Sequence, residues 1–90
     1  MTQYTALIVD DEPLAREGLA LRLQDFKHIE VLGQCRNARE AQTFIEEKTP
    51  DIVFLDVQMP GKTGMEMIAE IESEHAPAFI FVTAYRQYAV

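Results

Sequence analysis

Leu7-Ile8-Val9-Asp10-Asp11-Glu12-Pro13 (residues 7–13) passes from an aliphatic run straight into acids. Ile52-Val53-Phe54-Leu55-Asp56 (residues 52–56) does the same. Each apolar run reads as a buried strand. A carboxylate is an unfavourable end for such a strand, because burying it unpaired costs several kcal/mol, on the order of what a single domain can tolerate. Two such ends in one short chain imply that the carboxylates meet and share something positive. Mg²⁺ is the natural candidate, since it takes oxygen ligands and often uses only one or two protein carboxylates.

Working outward, strand-like and helix-like segments alternate. Tyr4–Asp10 is the first strand, and Pro13 suits the first helical position, where its missing N–H has no intrahelical partner to lose. Leu14, Ala15, Gly18, Leu19, Arg22, Leu23 and Phe26 follow at helical spacing. Glu30–Cys35 alternates, with Val31, Gly33 and Cys35 on one side and Leu32 and Gln34 on the other, as expected of an edge strand. Asn37 and Glu40 form a capping box ahead of Ala38, Ala41, Phe44 and Ile45. Ile52–Leu55 is the most continuously apolar strand and so a central one. Gln58-Met59-Pro60-Gly61-Lys62 reads as a loop, and Thr63 with Glu66 as a second capping box opening a third helix along Met65, Ile68, Ala69 and Ile71. Phe79–Val82 is a fourth strand ending in Thr83-Ala84.

This alternation predicts an α/β fold with an open parallel sheet, because parallel neighbours need crossovers and helices supply them. Right-handed crossovers put every strand's C-terminal end on one edge, which gathers Asp10, Asp11, Asp56 and Thr83 there. For the acids to form one site, the first and third strands must be neighbours, giving the order 2-1-3-4 with a ligand site at the switch point. The blander alternative is that these acids cap helices or solvate loops. Thr83, taken alone, reads as a β-branched strand residue.

Composition narrows the function classes. The chain has 90 residues, 48% hydrophobic and 26% charged, values ordinary for one small globular domain. Its net charge of −7 argues against direct nucleic-acid contact by this segment. Arg36 and Arg39, its closest basic pair, read as a solvated helix face. No apolar run approaches the roughly 20 residues that span a bilayer, and there is no signal-peptide pattern at the start. The single cysteine, Cys35, fits a reducing compartment and a small buried hydrophobe, so a cytoplasmic location is expected. Glu12 reads as a helix-start charge, and His28 and His75 as solvent-facing residues without metal-ligand spacing.

Three motifs in order, Val9-Asp10-Asp11-Glu12, Leu55-Asp56-Val57-Gln58-Met59-Pro60 with Gly64, and Val82-Thr83-Ala84, make the chain resemble the receiver domain of two-component response regulators, with its flavodoxin-like fold. The segment Phe81–Val90 resembles, more narrowly, receivers joined to LytTR-type DNA-binding domains. The resemblance implies that Asp56 accepts a phosphoryl group from the phosphohistidine of a histidine kinase. It implies Mg²⁺ held by Asp11, Asp56 and the backbone carbonyl of Gln58, with Asp10 acting through water and Thr83 offering a switch hydroxyl. It implies a switch controlling an output domain, not an enzyme, beyond its own phosphorylation and dephosphorylation.

The family's fifth strand, with its lysine, and the fifth helix have no counterpart in these 90 residues. The chain therefore reads as a receiver cut off within its fourth helix, slower to accept a phosphoryl group or less able to keep it. It is also expected to self-associate through the exposed edge of Phe79-Ile80-Phe81-Val82. A second function class stays open: an interaction or assembly module that is never phosphorylated.

Overall fold

In the computed structural model, which describes residues 3–56, 64–71 and 76–82, strands and helices alternate. The order is β1 (Tyr4–Val9), α1 (Pro13–Leu23), β2 (Ile29–Cys35), α2 (Ala38–Lys48), β3 (Ile52–Asp56), α3 (Gly64–Glu70) and β4 (Ala78–Val82). All neighbouring strands are parallel, and the sheet order is β2-β1-β3-β4, as the shared acid site requires. Among the described residues, no helix is long and apolar enough to cross a membrane.

Each face of the sheet has its own core. Leu7, Val9, Val53 and Leu55 are fully buried on one face beneath Ala38, Ala41 and Ile45 of α2 and Met67 of α3. Ala6, Ile8 and Phe54 pack on the other face against Leu23 of α1, flanked by Leu19 and Ala20. Both sides of β1 and β3 are therefore covered, which is why their sequences are continuously apolar.

Helical spacing alone did not identify the buried stripe of α1. Leu14 is 79% exposed, and Phe26 lies beyond the helix in a turn, 58% exposed. Periodicity picks out two adjacent faces of the helix, and the sheet covers only the one carrying Leu19, Ala20 and Leu23. Among the described side chains of α3, Met67 is buried and Ala69 is exposed. The Asn37 cap holds as expected, its Oδ1 accepting from the Glu40 N–H at 2.8 Å. The Glu40 carboxylate reaches back to Arg36, accepting from its N–H at 3.1 Å and its Nε at 3.2 Å. Thr63, the expected second cap, lies outside the described residues.

β2 departs most from a regular strand. Ala6 is level with Val31, but Leu7 is level with Gly33, so Leu32 is an extra residue forming a bulge. The bulge moves the strand's second half to the opposite face. Val31 packs with Ala6 and Ile8, whereas Cys35 joins Leu7 and Val9, so Val31, Gly33 and Cys35 do not share one side. A bulge also blunts an exposed edge against pairing with another chain.

At the opposite edge of the sheet from the acids, Asp51 joins three strands. Its carboxylate accepts from the Thr5 N–H at 2.9 Å and the Thr5 hydroxyl at 3.1 Å. Its own N–H donates to the Thr5 carbonyl at 3.0 Å, and its carbonyl accepts from the Ala78 N–H at 2.9 Å.

Gly33 is required by close approach. A Cβ there would stand 2.8 Å from Cε2 of Phe44, whose ring lies against the strand. Gly33→Ala is expected to lower stability by about 1–3 kcal/mol through overpacking. Adding Phe44→Leu should recover part of that loss. Urea denaturation of the three proteins checks this, and an unchanged midpoint in Gly33→Ala would show that the ring moves aside freely.

Candidate functional site

Val9 is level with Leu55 where β1 and β3 pair, so the next residues, Asp10 and Asp56, emerge side by side at the C-terminal edge. Asp11 follows in the turn to α1. One carboxylate oxygen from each of Asp10, Asp11 and Asp56 lies within 4.8 Å of the others. Asp10 and Asp56 are half-buried and Asp11 is exposed, so solvent reaches the cluster. The acids therefore meet as their strand positions require.

The turn that carries them is closely held. The Asp10 N–H donates to the Cys35 carbonyl at 3.0 Å, tying the end of β1 to the end of β2. The Glu12 N–H donates to Asp10 Oδ1 at 2.9 Å, turning the chain into α1. Arg16 Nη1 donates to the Asp10 carbonyl at 2.7 Å. Among the described residues, the Asp11 carboxylate has no hydrogen-bond partner. Glu12 is the residue before the first turn of α1 and stands outside the acid cluster, as expected of a helix-start charge.

Arg16 was missed in the sequence, although a signal existed. The first turn of α1 has no acidic residue, and Arg16 puts a cation at the positive end of the helix dipole. A misplaced cation just after a run of acids points to a partner upstream. Gln58 and Thr83, the other expected site residues, lie outside the described residues, as does His75. His28 is exposed.

The comparisons with known proteins agree with this geometry. The response regulator receiver domain family matches residues 6–90. The chain belongs to that family. It is 49% identical over 84 residues to the transcriptional regulatory protein BtsR of Salmonella typhimurium, covering 93% of this chain and 35% of that protein. It is 50% identical over 86 residues to an uncharacterized response regulatory protein of Shewanella oneidensis, covering 96% and 36%. The chain thus spans about a third of the length of these relatives. Among solved structures, a LuxR-family two-component response regulator from Aurantimonas sp. SI85-9A1 superposes with a TM-score of 0.84 at 30% identity, covering 91% of this chain and 59% of that one. The response regulator domain of Thermotoga maritima CheB gives 0.80 at 28% identity, covering 90% and 60%.

Receiver domains bind Mg²⁺ at an acidic pocket and interact with histidine kinases, and this receiver has residues suited to that ion. Its donors are hard carboxylate oxygens. A six-oxygen shell at 2.0–2.1 Å needs neighbouring ligands roughly 3 Å apart, a modest contraction from the observed spacing. Asp10 already commits Oδ1 to the Glu12 N–H, which suits an indirect role better than a direct one.

Cys35 lies behind this site, buried at the end of β2. Burial pushes its thiol up to about 11 from 9.0, the Glu40 carboxylate adds to the rise, and Arg16 opposes it. The unfolded thiol releases its proton near 9.0, whereas the folded one keeps it to about 11. The folded state binds the extra proton in that window, so stability falls as pH rises through it. The stability difference between the parent and Cys35→Ala is expected to shrink between pH 9 and 11. Paired denaturation curves measure it, and a constant difference would count against a thiol protonated by burial.

Proposed function

We propose that this receiver is a phosphorylatable switch in which Asp56 accepts a phosphoryl group from the phosphohistidine of a histidine kinase. The observation that carries this reading is the meeting of Asp10, Asp11 and Asp56 at the C-terminal edge between β1 and β3. Asp56, anchored as the last residue of β3, supplies the nucleophilic oxygen. That oxygen forms a bond to phosphorus as the P–N bond breaks, and the imidazole leaves on the donor. Asp11 and Asp56, with the carbonyl of Gln58, are the residues to hold Mg²⁺ directly, and Asp10 orients a water toward it. The bound ion supplies charge neutralisation for a phosphoryl group entering an acidic pocket. Thr83, one residue past the β4 position level with Asp56, is the switch hydroxyl.

The receiver turns over no separate substrate in this reading. It works in the cytosol and signals to an output domain outside these 90 residues. That domain is a DNA-binding one, of the LytTR kind by the resemblance of Phe81–Val90. Support comes from relatives named as transcriptional regulatory proteins, of which the receiver spans 35%. The alternative, an assembly module never phosphorylated, shares the acids and differs in chemistry. We also propose that the 90-residue chain self-associates through β4. Ile80 and Phe81 are 44% and 40% exposed on a strand that is an edge among the described strands.

Incubation with Mg²⁺ and a small acyl phosphate, read by intact mass, should give one phosphoryl adduct. Asp56→Asn should abolish it, and Asp11→Asn should weaken Mg²⁺ binding markedly while leaving the cation-free fold as stable or more so, by relieving repulsion. An adduct on another residue removes Asp56 as the acceptor, and no adduct in the parent favours the assembly module.

For self-association, light scattering over a concentration series is expected to show mass rising with concentration. A constant monomer mass at high concentration would remove this proposal.

A further inference from the structure

Three consecutive peptide units around the acids are each tied down from a different direction. The unit before Asp10 donates to the Cys35 carbonyl. The unit after Asp10 gives its carbonyl to Arg16 Nη1 at 2.7 Å. The unit after Asp11 donates the Glu12 N–H to Asp10 Oδ1. The middle tether alone comes from a side chain of α1, the Arg16 guanidinium, and its peptide plane is the one from which Asp11 projects.

Arg16 is well placed for this task. Its own N–H donates to the Glu12 carbonyl at 3.1 Å, closing the first turn of α1, and the hydrogen bond from its side chain is part-buried. The guanidinium spends its charge on a neutral carbonyl at the helix end where a cation is least favoured. No gain to the helix accounts for it there, whereas a gain to the turn does. Asp11, pressed by two neighbouring carboxylates and lacking a hydrogen bond of its own among the described residues, has the most to gain from a fixed backbone.

We propose that Arg16 is a positioning residue of the cation site: by holding the Asp10 carbonyl it fixes the peptide plane that aims Asp11 at the shared centre. This rests on reading the three acids as a Mg²⁺ site. A ligand aimed before binding needs less reordering when the ion arrives, and supporting residues of this kind typically contribute 10- to 100-fold to metal affinity.

The test is a Mg²⁺ titration followed through the backbone amide signals of residues 10–12, with the cation-free stability of each protein measured separately. Arg16→Met is expected to bind Mg²⁺ about tenfold more weakly, and Arg16→Gln, which keeps a polar tip, provides a second variant should the first fail to fold. Arg16→Lys should regain part of the loss, since one ammonium donor can reach a carbonyl. In an Asp11→Asn background, Arg16→Met should cost no more than about twofold further, because the residue it aims has gone. Parental affinity in both neutral variants overturns the proposal, as does a full tenfold loss persisting beside Asp11→Asn. A parent that binds no Mg²⁺ overturns the cation-site reading together with this one.

Discussion

Three carboxylates whose oxygens lie within 4.8 Å of one another repel, and the surrounding structure has to hold them together. The restraint comes from directly beneath. Leu7, Val9, Val53 and Leu55 are fully buried, and each such side chain contributes about 1.5–3 kcal/mol by leaving water. Because β1 and β3 are covered on both faces, neither can twist away to separate its terminal acid. Stability and function pull against each other here, and the central strands carry the load for both.

The hydrogen-bonding ends of the sheet divide the work. At the N-terminal edge, Asp51 and Thr5 exchange bonds through backbone and side chain, fixing how β1 sits against β3. At the C-terminal edge the same two strands must keep their register while presenting charge. The clamp is therefore built from the same residue type as the site, an aspartate at a strand boundary, yet with its oxygen satisfied by Thr5. Asp51 is tied across the sheet to Thr5, whereas the Asp10 carboxylate bonds only two residues along its own turn, to the Glu12 N–H.

The sheet order could be read from sequence because it followed from chemistry: acids at the ends of two apolar runs have to meet, which forces β1 beside β3. Asn37 and Glu40 were legible because capping is local. Leu14 and Phe26 misled because helical spacing marks candidate faces without showing which one a neighbour covers. The Leu32 bulge escaped because strand alternation assumes an unbroken register, although Gly33 inside a strand was a hint of irregularity. Asp51 carries no local signal of its role, since its partner Thr5 is 46 residues away. Arg16 was hidden for a related reason, its bond running back to a backbone atom that any residue could have offered.

The crossover that places β2 outside β1 also governs when the site can exist. A chain emerging from the ribosome presents Asp10 and Asp11 early, and β1, α1, β2 and α2 can begin to associate through contacts near in sequence. The third acid arrives only with β3, which must insert along the open side of β1, a non-local pairing of the sort that slows folding. Until then the acids form no pocket. The three-acid cluster is thus a late product of biogenesis, and a chain that has not yet reached β3 presents Asp10 and Asp11 without their third partner.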